Sequence, residues 1–256
     1  MSNVLDEIIR TGMVKSPNGL EIKVKSNIPQ DEGLFLQKLI LEFKPKVTLE
    51  VGLAYGISSL YICEALMQIG SERHVVIDPC QNEAWNGIGL HNLKMAGYEK
   101  LIDFREMSSH LALPQLEVEG LKVDFAFIDG WHTFDYALID FFFIDRLLSV
   151  GGVVAFDDTL YYASIRILCR YIVTNRAYSV INKSNEAPLR KSKTQMLLKV
   201  PLVSKYLKRI AKPEIIEPDY KLGLPKGNYI AFRKEKEDIL GDGTNGTRRW
   251  NVHKNF

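Results

Sequence analysis

The chain has 256 residues, 46% hydrophobic and 25% charged, the proportions of an ordinary globular protein with room for one sizeable α/β domain and additions. A formal charge of +2 gives no electrostatic reason to expect a nucleic-acid partner. Three cysteines, Cys63, Cys80 and Cys169, lie in or beside apolar stretches without CxxC spacing, which argues against a disulfide framework or a zinc site and fits a reducing cytoplasm.

The opening Met1–Glu7 carries acids and lacks a long apolar core, so no signal peptide is expected. Residues 1 to about 30 suggest a short helix, a turn at Ser16-Pro-Asn-Gly19 and a polar segment, which together form an N-terminal lid over 1–29. From Gln30 to Phe43 the spacing of Leu34, Leu36, Leu39, Ile40 and Leu41 predicts a helix, which Pro45 ends. Val47–Val51 is then a buried strand, Gly52–Gly56 a glycine-bounded turn and Ile57–Met67 a helix. His74–Ile77 is a second strand, ending on Asp78. Trp85–Ala96 is helical and closed by Gly97, and Ile102–Glu106 is a third strand. No apolar run approaches the ~18 residues of a membrane span; Asp140 and Asp145 interrupt the longest.

Two further apolar runs, Val123–Ile128 and Gly152–Phe156, flank a helical stretch and end on acids: Asp129 after the first, Asp157 and Asp158 after the second. Strand, helix, strand is a parallel crossover unit, and ligands of open α/β sheets bind at the C-terminal strand ends. Three carboxylates gathered there repel one another and call for a cation or protons, a hard divalent metal being the simplest solution. A helix over Leu160–Val173 follows, capped by Asp158 or Thr159. Two late strands, Tyr178–Ile181 and Asn228–Phe232, can close the sheet as an antiparallel pair. The expected fold is a doubly wound, Rossmann-like α/β sheet with helices on both faces, its core over 30–182 with a last strand at 227–235.

Glu50-Val-Gly-Leu-Ala-Tyr-Gly56 joins a strand to a helix, where glycine lets a ligand lie against the backbone. The dinucleotide pattern G-x-G-x-x-G fails at Ala54 and Ile57. Glu50 and the lack of any Lys or Arg in the turn disfavour phosphate and suit a cationic amino acid. Asp78 is placed to accept hydrogen bonds from two ribose hydroxyls. A ligand-free turn and a solvated strand-end acid remain the plain alternatives.

On Glu50-x-Gly52-x-x-x-Gly56, Asp78 and Phe127-Ile-Asp-Gly-Trp-His132, the chain resembles the class I S-adenosylmethionine-dependent methyltransferases over roughly Gln30 to Val173 plus the last strand. The resemblance implies seven strands, the last antiparallel. It implies that the backbone around Gly52 holds the methionine part of the cofactor and that Ser58, at a helix start, meets its carboxylate. Within that family the chain looks like the metal-dependent O-methyltransferases, catechol and macrolide-sugar enzymes among them. Asp129, Asp157 and Asp158 match their metal positions, with Mg²⁺ the expected ion. His132 matches the general base, a histidine in the macrolide-sugar enzymes and a lysine in the catechol enzyme. Trp131 matches the residue against the adenine face, Ser109 the adenine edge, and Asp129 lies beside the cofactor as well as the metal. His74, His91, His110 and His253 carry no comparable partner and are taken as structural.

Arg190–Lys212 holds eight Lys/Arg and no Asp/Glu among apolar residues. Within a basic insertion over 183–226, it suits a lid, a dimer arm or a peripheral membrane contact, or simply a solvated basic face. The 236–256 tail ends on a basic-aromatic run that can dock on the body or on a second subunit. The implied activity is metal-assisted O-methylation of a hydroxyl on a sugar or glycosylated natural product, a small-molecule or glycan acceptor. The rivals are a NAD-dependent oxidoreductase and a non-catalytic S-adenosylmethionine-fold binding protein.

Overall fold

The computed structural model describes residues 2–183 and 217–237. The basic segment 190–212 and the tail 241–256 lie outside the described residues. Helix α1 (Asn3–Thr11) starts where the Ser2 hydroxyl accepts from Leu5 N–H and stops at left-handed Gly12. The polar segment that follows is a small hairpin, β1 (Met13–Lys15) paired antiparallel with β2 (Glu21–Lys23). The period-2 signal in two three-residue strands is too short to be seen in the sequence.

A single seven-stranded sheet carries the rest. Its strands are β3 (Val47–Val51), β4 (Arg73–Ile77), β5 (Ile102–Arg105), β6 (Val123–Ile128), β7 (Leu148–Phe156), β8 (Tyr178–Val180) and β9 (Ile230–Lys234), in the order β5-β4-β3-β6-β7-β9-β8. All neighbours are parallel except β9, which runs antiparallel to both β7 and β8. The last strand in the chain is therefore the antiparallel one, and the late pair forms as expected. After β3 the chain winds outward through β4 and β5, then returns to lay β6 against the other side of β3. That reversal places a crevice at the C-terminal ends of β3 and β6.

Helices cover both faces because the central strands are apolar on both. Phe125 and Phe127 of β6 face one core with Leu36, Leu39 and Ile40 of α2 (Gln30–Phe43), residues of α3 (Ile57–Ile69), and Ile88 and Leu93 of α4 (Ile88–Met95). Ala126 and Ile128, one residue out of phase, face the other. There they meet Leu113 of α5 (Ser109–Val118), Phe141 of α6 (Phe134–Leu147) and Leu168 of α7 (Ala163–Asn175). Each large side chain so buried is worth about 1.5–3 kcal/mol. All three cysteines are unpaired.

Helix α7 corrects an expected boundary. It begins at Ala163, not Leu160, and its N-cap is Tyr162, whose side chain makes no capping bond. Asp158 and Thr159 are not caps because they belong to a loop pinned to residues 227–228. Thr159 N–H donates to the Asn228 carbonyl, and Leu160 N–H to the Asn228 side chain. Helix α4 likewise starts at Ile88, three residues later than the expected Trp85, after left-handed Asn86 and Gly87.

Candidate active site at the C-terminal edge of the sheet

The turn after β3 is built around three left-handed residues, Gly52, Ala54 and Gly56. A side chain at Gly52 would put its Cβ 2.1 Å from the Asp129 carbonyl oxygen, so the closing of β3 against β6 itself demands glycine. Asp78, at the end of β4, holds this turn. One of its oxygens accepts from Leu53 N–H (3.1 Å) and Ala54 N–H (2.9 Å), the other from Cys80 N–H (2.8 Å). A carboxylate has about four lone-pair sites, so capacity for a ligand hydroxyl is left. Two side chains without a visible signal in the sequence also pin the loop. Gln81 donates to the Ala54 carbonyl and accepts from Gly89 N–H, while Asn92 donates to the Tyr55 carbonyl.

Glu50 and Ser58, both expected to meet the cofactor, meet each other. Glu50 is fully buried. The Ser58 and Ser59 hydroxyls each donate to one of its oxygens, and His74 Nε2 lies 3.0 Å away. Thr48 in turn bonds His74 Nδ1 at 2.8 Å. His74, for which the sequence offered no partner, thus has one in Glu50, and ties β3 and β4 to the first turn of α3.

The acids gather at the ends of β6 and β7. Asp129 N–H donates to Val51 O and Asp157 N–H to Ile128 O, extending the ladder one step beyond the strands. Asp129, His132 and Asp158 each present an atom within 4.8 Å of the others. His132 Nε2 lies 3.2 Å from an Asp158 oxygen. Asp158 takes a left-handed backbone (φ 57°) to point this way. Asp157 stands beside the trio rather than in it, since one of its oxygens accepts from Asp158 N–H and from Asn228. Asn228 also reaches Asp158 at 3.2 Å and so braces both acids.

A fourth acid arrives from an element that gave no hint of it. Glu32, in the first turn of α2, is 0% exposed. Neither of its carboxyl oxygens meets an N–H or hydroxyl donor. Burial, then the charge of Asp157, pushes its carboxyl far above the usual carboxylate range. Burial likewise raises Asp129, with Asp157, Glu50 and Asp158 adding to it, and burial raises Asp157. Burial holds His132 below the ordinary imidazole value, against the pull of Asp158, which favours a neutral ring. Carboxylate oxygens gathered at the strand ends, with a further buried carboxyl that meets no N–H or hydroxyl donor, fit a hard divalent cation.

Around the acids, His132 stacks on Tyr162 with ring centroids 4.4 Å apart, and Ser164 donates to its carbonyl. Trp131 is 69% exposed, so it does not pack into the core and its ring is open to a flat ligand. Gly130 is close-packed against Val51, whose Cγ1 would lie 2.8 Å from a Cβ added at position 130. Ser109 is buried at the start of α5, where its hydroxyl lowers Asp140 against a burial that raises that carboxyl to about 6. Beyond Asp158 a cavity of about 450 Å³ is lined by Thr159, Leu160, Tyr161, Arg166 and Ile167, with others.

Residues 49–159 match the family described as "Methyltransferase domain". Over 165 residues the chain is 32% identical to the tapetum-specific methyltransferase 1 of Arabidopsis thaliana, covering 63% of this chain and 60% of that protein. It is 33% identical over 146 residues to a flavonoid 3',5'-methyltransferase of Vitis vinifera, covering 54% and 58%. The match thus spans about three fifths of these relatives' length. Among solved structures it is similar to an O-methyltransferase from Bacillus cereus in complex with S-adenosylhomocysteine (SAH), with a TM-score of 0.58 at 21% identity over 71% of this chain and 83% of the other.

Proposed function

We propose O-methyl transfer from S-adenosylmethionine as the activity of this chain, which through residues 49–159 and its seven-stranded sheet is a class I methyltransferase. The observation that carries the proposal is one juxtaposition. The glycine turn with Asp78 and the Asp129–His132–Asp158 group sit on adjacent strand ends of the same sheet edge. The first suits the cofactor, the second the acceptor hydroxyl. A single crevice lets the two reactants be held in line.

In this reading the turn backbone and Asp78 seat the cofactor, with Trp131 and Ser109 bounding its adenine. Asp129, Asp158 and Asp157 hold a divalent cation, Mg²⁺ for preference. When bound, the cation lowers the pKa of the acceptor hydroxyl and fixes its orientation. His132 Nε2 takes the hydroxyl proton as the oxygen bonds to the methyl carbon. The carbon–sulfur bond breaks, leaving a methyl ether and S-adenosylhomocysteine, and the proton passes from His132 to solvent. Tyr162 and Ser164 hold the imidazole loop in place for that transfer. The depressed basicity of His132 keeps it unprotonated, and thus able to accept, near neutral pH.

The acceptor is a hydroxyl of a sugar or of a glycosylated natural product. A second reading, a phenolic hydroxyl, is favoured by relatives named for flavonoids and caffeoyl-CoA. Methyl transfer assayed with a panel of sugar diols and catechols, each with and without Mg²⁺, separates them. Turnover on catechols alone contradicts the sugar reading, and turnover unaffected by chelation contradicts the cation.

A further inference from the structure

We propose that Glu32 is a fourth carboxyl of the cation site and that, through it, cation binding is coupled to the seating of helix α2. This rests on the cation reading above and extends it to an element outside the strand ends. The first turn of α2 holds two acids with opposite fates. Asp31 is exposed and accepts from the Tyr229 hydroxyl at 3.3 Å, which is enough to satisfy the positive end of a helix. Glu32 turns inward, fully buried, toward Asp157, Asp129 and Asp158. No N–H or hydroxyl reaches either oxygen, and the hydrogen-bonding neighbour of the carboxyl is the Asp157 side chain. A buried carboxyl that meets no N–H or hydroxyl donor and faces aspartates either shares a proton with Asp157 or gives that proton up to a positive ion in the same space.

The side chain cannot escape by a shift of its helix. Its neighbour Gly33 lies so close to Tyr61 of α3 that a built Cβ falls 2.3 Å from the ring. Helix α2 therefore presents Glu32 to the acids as a rigid element. Acting on the cation alongside or through Asp157, Glu32 is a positioning residue. Its contribution is to ion affinity and to the docking of α2, not to proton transfer.

The test uses the full chain, metal-stripped, with Mn²⁺ as probe. Calorimetric titration and thermal unfolding with and without Mn²⁺ are measured for the wild type, Glu32→Gln and the control Asp31→Asn. The expected result is Mn²⁺ affinity roughly 10–100-fold weaker in Glu32→Gln. Its metal-free Tm should be higher than the wild type's and its Mn²⁺-induced rise smaller, with Asp31→Asn unchanged in affinity. Should Glu32→Gln not fold, Glu32→Asp, which sets the charge back by one methylene, is measured in its place for loss of affinity. Wild-type Mn²⁺ affinity in the variant, or a metal-free Tm below the wild type's, overturns the role of Glu32 alone. Absence of Mn²⁺ binding to the wild type overturns both this role and the cation reading.

Discussion

Asp157 is the residue on which the sequence and the structure place different emphasis. Its neighbour Asp158 converges with Asp129 and His132, while Asp157 faces Glu32 and Asn228. In the proposed cation site Asp157 is a ligand, and Asp157→Asn is expected to abolish turnover while leaving S-adenosylmethionine affinity within a few-fold. Full activity in that variant contradicts the assignment. His132→Asn is expected to lower kcat by roughly 10²–10⁴-fold with cofactor affinity kept, since in the proposed mechanism it removes the base and not the cofactor seat. Steady-state kinetics beside a cofactor titration distinguish the two effects. Asp140 gives a prediction for stability rather than activity. Its carboxyl is raised to about 6 by burial, so between pH ~4 and ~6 the folded protein keeps a proton that the unfolded chain releases. Stability from this group falls as pH rises through that window. Asp140→Asn removes the penalty and should gain about 1–3 kcal/mol on the wild type at pH 7 relative to pH 4, measured by urea unfolding at both. Asp129, His132 and Asp158 were legible because they end apolar runs or stand beside such an end. Glu32 was hidden, because an acid in the first turn of a helix is expected on any solvated helix.

At the scale of elements, two glycines test whether the site is held by packing. Gly52→Ala drives a Cβ into the Asp129 carbonyl and forces alanine to φ 96°. It should destabilise the fold by several kcal/mol, on the order of the strain costs of core overpacking, and abolish cofactor binding. Gly33→Ala meets the Tyr61 ring and should cost about 1–3 kcal/mol, displacing α2 and with it Glu32. Thermal melts of both variants give the first quantity and cofactor titration the second. The helix Gln30–Phe43 and the strands Val47–Val51 and Val123–Ile128 have the bounds their apolar patterns predicted. The start of α7 does not, because tertiary bonds from Thr159 and Leu160 to residues 227–228 take over the capping groups that local sequence offered. The hairpin β1–β2 leaves no signal in the sequence because each of its strands is three residues long. In the sequence, glycine at 52 signals room for a ligand; the structure adds a nearer reason, the backbone of Asp129.

For the whole molecule, the winding of the sheet decides where chemistry can happen. Residues 50–58, 78, 129–132 and 157–158 are far apart in the chain, and the order β4-β3-β6-β7 brings them to one edge. That convergence was readable from the alternation of strands and helices, since each acid or glycine directly follows an apolar run. The contribution of α2 from the N-terminal side of β3, and of Asn228 from the approach to β9, was not, because neither follows a parallel strand. The rival reading as a NAD-dependent enzyme explains the sheet and Asp78 but gives no task to the acids at the ends of β6 and β7. The rival reading as a non-catalytic binding protein gives none to a cluster in which Glu32 lacks a donor. Of all measurements, calorimetric titration of S-adenosylmethionine into metal-stripped protein, repeated with Mg²⁺ and with NAD as control, bears most directly on the methyltransferase assignment. Saturable binding of S-adenosylmethionine without metal, and no heat from NAD, is the predicted result; NAD binding in the absence of any S-adenosylmethionine heat would contradict it.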